Sequence, residues 1–139
     1  MIMAKGQPFS IRLDTATEQL VEAEARRTRR SKSAVVETFT EEAARARRFP
    51  GVAFRGDDVN RRAWVVGSGL DVWEIAHMAE DFSSAETLAK NSHLSPAQIR
   101  LALAYRGAYP DEIERFIEEN RQPLDELRVL HPFIEVAGA

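Results

Sequence analysis

Ser10 and Arg12 stand two residues apart in Phe9-Ser10-Ile11-Arg12-Leu13, a stretch that alternates apolar and polar side chains. In an extended chain successive side chains point to opposite sides, so a hydroxyl and a guanidinium share one face and Phe9, Ile11 and Leu13 the other. That polar face offers groups of the kind that read base edges in the DNA major groove. A second set, Arg30, Lys32 and Ser33, lies in Arg29-Arg30-Ser31-Lys32-Ser33 at the start of a helix-patterned stretch. Free N–H groups and the positive dipole end make such a helix start an anion site, and the cations reinforce it. A third set, Ser95, Gln98 and Arg100, opens another helix pattern at a spacing that could reach a DNA groove. All three sets offer polyanion recognition rather than bond making.

Catalytic and metal chemistry find little support. The chain has no cysteine, hence no disulfide framework, thiolate metal site or cysteine nucleophile, which fits a reducing cytoplasm. His77, His93 and His131 lack metal-ligand spacing and read as surface or cap residues. Asp57-Asp58 reads as a hairpin tip, and Gly67-Ser68-Gly69 as a strand-to-helix turn without the full glycine pattern or nearby lysine of a phosphate loop. No serine, histidine and acid group together as a triad. The expectation is a binding protein that is not an enzyme and has no cofactor and no metal.

The elements that must position these side chains come from periodicity. The stretch 9–13 reads as a strand, yet nothing nearby reads as its partner. The simplest remedy is the same strand from a second copy, giving a two-stranded antiparallel ribbon across a twofold axis. Asp14 or Thr15 caps a helix through Thr28 with Leu20, Val21 and Ala25 at helical spacing. Arg29–Ser33 breaks it and starts a second helix, where Val36, Phe39, Ala43 and Ala46 form the apolar stripe.

This order of strand, helix, serine-rich break and helix resembles the ribbon-helix-helix family, the Arc/MetJ-type repressors, over roughly residues 5–48. The resemblance implies an intertwined homodimer in which Ser10 and Arg12 read bases and Lys32 and Ser33 clamp a phosphate. Pro8 departs from the polar residue usual at the strand start.

Phe49-Pro50-Gly51 ends the second helix. Val52–Arg55 and Arg62–Val66 then read as a β-hairpin, and Gly67-Ser68-Gly69 turns the chain into a helix capped by Asp71 with Glu74 three residues on. Ser83 with Glu86 and Ser95 with Gln98 open two more helices, the second with Pro96 at its first position. A short helix, a turn at Ser92-His93-Leu94 and a longer helix make a helix-turn-helix pattern. Tyr109-Pro110-Asp111 starts an acidic helix with Ile113, Phe116 and Ile117 on one side.

Residues 49–121 resemble a small prokaryotic family of VapB-type antitoxins. The resemblance rests on Gly69-Leu70-Asp71-Val72-Trp73-Glu74-Ile75, Leu94-Ser95-Pro96-Ala97-Gln98-Ile99, Ala102-Leu103-Ala104-Tyr105 and Tyr109-Pro110-Asp111-Glu112-Ile113. It implies operator DNA and a PIN-domain ribonuclease toxin as partners. The helix-turn-helix is either a DNA reader through Ser95, Gln98 and Arg100, a compact three-helix core, or a toxin-facing surface.

Charge divides accordingly. Net charge is −3, but residues 1–48 hold ten Lys/Arg against seven Asp/Glu, residues 49–121 eight against twelve, and residues 122–139 one against three. DNA binding needs a local basic surface rather than a basic whole, although Arg26, Arg27, Arg45, Arg47 and Arg48 read as helix-solvating. No apolar run approaches the length of a membrane span, so no membrane partner is expected. Gln122-Pro123 is expected to break the last helix. Beyond it Leu124, Leu127 and Leu130 recur at threes, and Pro132–Val136 looks extended. Such a tail either folds back or lies on a partner. Under the antitoxin resemblance Leu124, Leu127, Leu130, Phe133 and Ile134 contact the toxin, and Arg128, with Arg121 as the alternative, enters its acidic metal site. The expected architecture is mostly α with short strands: a ribbon-helix-helix over 1–48, a β-hairpin plus helix-turn-helix module over 49–121, and a toxin-binding tail over 122–139. The alternative is a stand-alone dimeric repressor without a toxin.

Overall fold

The structure, a computed structural model, describes residues 5–130, with side chains over 5–121. It is mostly helical, with one two-stranded antiparallel sheet. Its contacts separate Met1–Glu41 from the chain beginning at Glu42, a division inside the second helix.

In the first unit residues 5–14 carry no regular structure in the single chain. A strand is defined by its ladder, and the one anticipated over 9–13 has no partner strand among the described residues. Phe9 and Ile11 are 84% and 55% exposed, while Leu13 is half-buried. Helix α1 spans Thr15–Thr28 with Asp14 as N-cap, its carboxylate accepting the Thr17 N–H at 2.8 Å. Arg29 ends it in the left-handed conformation (φ 57°), and the Arg30 N–H returns to the Ala25 carbonyl at 3.1 Å. That places a bulky residue where glycine is favoured. Helix α2 spans Lys32–Arg48, and the Ser31 hydroxyl accepts the Ala34 N–H at 3.1 Å.

The apolar stripes of this unit differ from expectation. Val21 on α1 and Val35 on α2 are its buried side chains among the described residues, whereas Leu20 and Phe39 are 69% and 44% exposed. Val36 and Ala46 are half-buried and Ala43 is exposed. The two helices bury one valine each, and the stripe is open at Phe39.

The second unit holds a continuous core. Strands β1 (Val52–Arg55) and β2 (Arg62–Val65) pair from Val52↔Val65 to Arg55↔Arg62, with β2 ending one residue before Val66. At Gly56 (φ 106°) a Cβ would stand 2.4 Å from the Asn60 carbonyl oxygen, so only glycine closes this loop. Helices α3 (Val72–Ala79), α4 (Ala85–Lys90), α5 (Pro96–Ala108) and α6 (Pro110–Leu130) complete the unit. Val65, Val72, Ile75, Leu88, Ile99, Tyr105 and Ile113 are almost fully buried together. Helix α5 lies at the centre of this packing, against α3, α4, α6 and β2.

Two sequence expectations are corrected here. The short helix is capped by Ser84, whose hydroxyl accepts the Thr87 N–H at 3.1 Å, and not by the Ser83–Glu86 pair. The break at Gln122-Pro123 is absent, since α6 runs on to Leu130. A proline removes one hydrogen bond and disturbs the preceding turn, but neighbours of good helix propensity carry the helix past it.

Candidate nucleic-acid interface

Ser10 and Arg12 are exposed on the segment preceding α1. Within the same unit an open groove of about 930 Å³ is lined by Phe9, Ile11, Leu13 and Val36 together with Lys32 and Ser33. Arg12 lines it too, as do Glu18, Glu37 and Glu41, so the groove carries acids as well as cations.

The cations at the start of α2 are engaged within the chain. Lys32 Nζ donates to Glu18 Oε1 at 2.6 Å and to Glu22 Oε1 at 3.5 Å, and the Glu18 bond holds the ammonium above the ordinary lysine value. Arg30 turns along α2, donating to Thr38 Oγ1 at 3.0 Å and the Ala34 carbonyl at 3.4 Å. Ser31 spends its hydroxyl on the helix cap, and Ser33 is exposed. Lys32 therefore faces two carboxylates of α1, while Ser33 beside it is exposed.

The second candidate reader is committed to its own fold. Ser95 Oγ accepts the Gln98 N–H at 3.1 Å, and Gln98 Oε1 accepts the Ser95 N–H at 2.9 Å, completing a capping box. Arg100 is ion-paired with Glu86, and Arg106 with Glu80 and Glu114. A reader helix needs unspent polar groups and net positive charge at its leading end, and α5 has neither in surplus.

Two polar centres escape a reading of the sequence. Asp71, 3% exposed, accepts from Arg55 Nε at 2.8 Å, Arg62 Nε at 2.6 Å and Trp73 Nε1 at 3.1 Å. Its carboxylate serves the hairpin, while Glu74 accepts the Asp71 N–H at 3.0 Å. The available signal was the pairing of Arg55 with Arg62 across the hairpin, which demands a counter-charge. The second centre joins Arg45, Tyr105 and Glu112. Arg45 donates to the Tyr105 hydroxyl and to Glu112 at 2.9 Å each, and Tyr105 donates to Glu112 at 2.8 Å. Burial draws Arg45 down, but Glu112 and Tyr105 together outweigh it and its pKa rises; burial, reinforced by Glu112, raises Tyr105. No local pattern announces contacts between residues this far apart in sequence.

His93 Nε2 lies 2.9 Å from the Ser68 carbonyl oxygen, and His77 pairs with Glu80 at 3.4 Å. Among the described residues no group of three or more His, Asp or Glu is placed to hold a metal ion, and no helix is long and apolar enough to cross a membrane. Leu124, Leu127, Arg128 and Leu130 fall on the last turns of α6, but their side chains lie outside the described residues, as do Phe133 and Ile134 entirely. No protein-family model matches the chain, and neither a curated protein nor a solved structure matches it.

Proposed function

We propose that this chain is a DNA-binding antitoxin of the VapB type. In this reading two copies pair their 9–13 segments into a ribbon that enters the major groove of operator DNA, and the complex with a PIN-domain ribonuclease represses its own operon. The observation that carries the DNA-binding half is the exposure of Phe9 and Ile11 beside exposed Ser10 and Arg12. Apolar side chains alternating with hydrogen-bonding ones on an unpaired segment are what a strand shared between two copies requires. The toxin half is supported by the four motifs of residues 69–113 and by the apolar spacing beyond Pro123. Because α6 continues to Leu130, a stand-alone repressor, whose last leucines belong to its own helix, is the second reading.

Binding to a duplex from upstream of the chain's own gene tests the first half. Arg12→Ala should weaken that binding by about 1–3 kcal/mol and relax sequence preference. An unchanged affinity, with loss on Gln98→Ala and Arg100→Ala instead, would make α5 the reader. Co-purification of a neighbouring PIN-domain nuclease with the full chain, but not with a chain ending at Arg121, tests the second.

A further inference from the structure

We propose that Glu18 and Glu22 form a carboxylate latch on Lys32, holding its ammonium in the free protein until a DNA phosphate displaces them. The inference rests on the DNA-binding reading above and concerns how that contact is regulated. Glu18 and Glu22 stand four residues apart on α1, so one face of the helix presents both to the first residue of α2. Lys32 Nζ bridges them at 2.6 and 3.5 Å. The side chains are all close to half exposed, at 48% for Lys32, 44% for Glu18 and 42% for Glu22, so a phosphate can approach without unfolding either helix.

The exchange is balanced by its setting. An exposed ion pair is weak, so a phosphate that also meets neighbouring backbone N–H groups can win the lysine. Phosphate contacts are blind to sequence and supply most non-specific affinity. The latch therefore lowers affinity for any duplex, and stable binding requires base contacts such as those of Arg12.

The test uses the full chain with two duplexes of equal length, one from upstream of its own gene and one scrambled. Glu18→Gln with Glu22→Gln should bind both roughly 3- to 10-fold more tightly. The same pair of changes in a Lys32→Ala background should gain clearly less. Equal gains in both backgrounds would reduce the acids to general surface charge and overturn the latch. Weaker binding by the double variant would overturn it as well, making the acids positioning partners of Lys32. Failure of the underlying reading looks different: the unaltered chain would bind neither duplex even at low salt, and the latch would fall with it.

Discussion

Arg55 and Arg62 face one another across the hairpin and repel unless an anion lies between them. Asp71 supplies that charge from the turn that leads into α3, joining the hairpin to the helical core through side chains rather than through backbone alone. Asp71→Ala leaves two guanidinium groups and the Trp73 N–H without their acceptor. Breaking a buried ion pair costs about 3–5 kcal/mol, but both arginines are partly exposed and regain water, so the expected loss is about 2–3 kcal/mol in urea unfolding. A loss under about 0.5 kcal/mol would show the cluster to be merely superficial. The opposite sign is expected at Arg29. Its φ of 57° is costly for a side-chain-bearing residue, and Arg29→Gly should stabilise by about 0.5–1 kcal/mol in the same measurement.

Among the helices, local chemistry decides starts better than ends. Asp14, Asp71 and Ser95 head their helices as their residue types and spacing require. Ser83 and Ser84 offer equivalent hydroxyls in adjacent positions, and the fold uses the second, one turn ahead of the buried Leu88. The end of α6 departs from expectation because Pro123 weakens a helix without dictating the conformation of the next turn. The cap at Asp14 can be tested by pH. Its acceptance of the Thr17 N–H lowers its pKa below the usual carboxylate value. A depressed folded pKa contributes stability above the unfolded value and loses it as pH falls through the folded one. Asp14→Ala should lower Tm by a few degrees at neutral pH, and the two proteins should converge as acid protonates the cap. A constant difference across that range would show that the carboxylate's charge does not matter.

For the whole molecule the open question is what covers Phe9, Ile11 and Phe39. If a second copy does, Ile11→Asp places a charge in a shared apolar seam, where it lacks a partner, and should abolish the dimer in light scattering. In the single chain Ile11 is largely exposed, so the same change should leave helicity intact. The unaltered protein should also show a Tm that rises with concentration, and the variant should not. A folded dimer of Ile11→Asp would sink the ribbon and leave Phe39 and Val36 as the surface to pursue.

The helices and the hairpin are legible in the residues alone, because periodicity, caps and glycine turns are local: Ile113, Phe116 and Ile117 at one helical face are enough to announce α6 and its buried side. The alternation of residues 9–13 is legible too, though not the identity of their partner. Which polar groups are already spent emerges only when the chain folds. Lys32 and Arg100 read in sequence as free cations, yet folding brings Glu18, Glu22 and Glu86 against them. Asp71 reads as a helix cap and heads α3 as one, yet its carboxylate also pairs with Arg55 and Arg62. An ion pair of this kind is a contact in space between residues distant along the chain, and no periodicity encodes it.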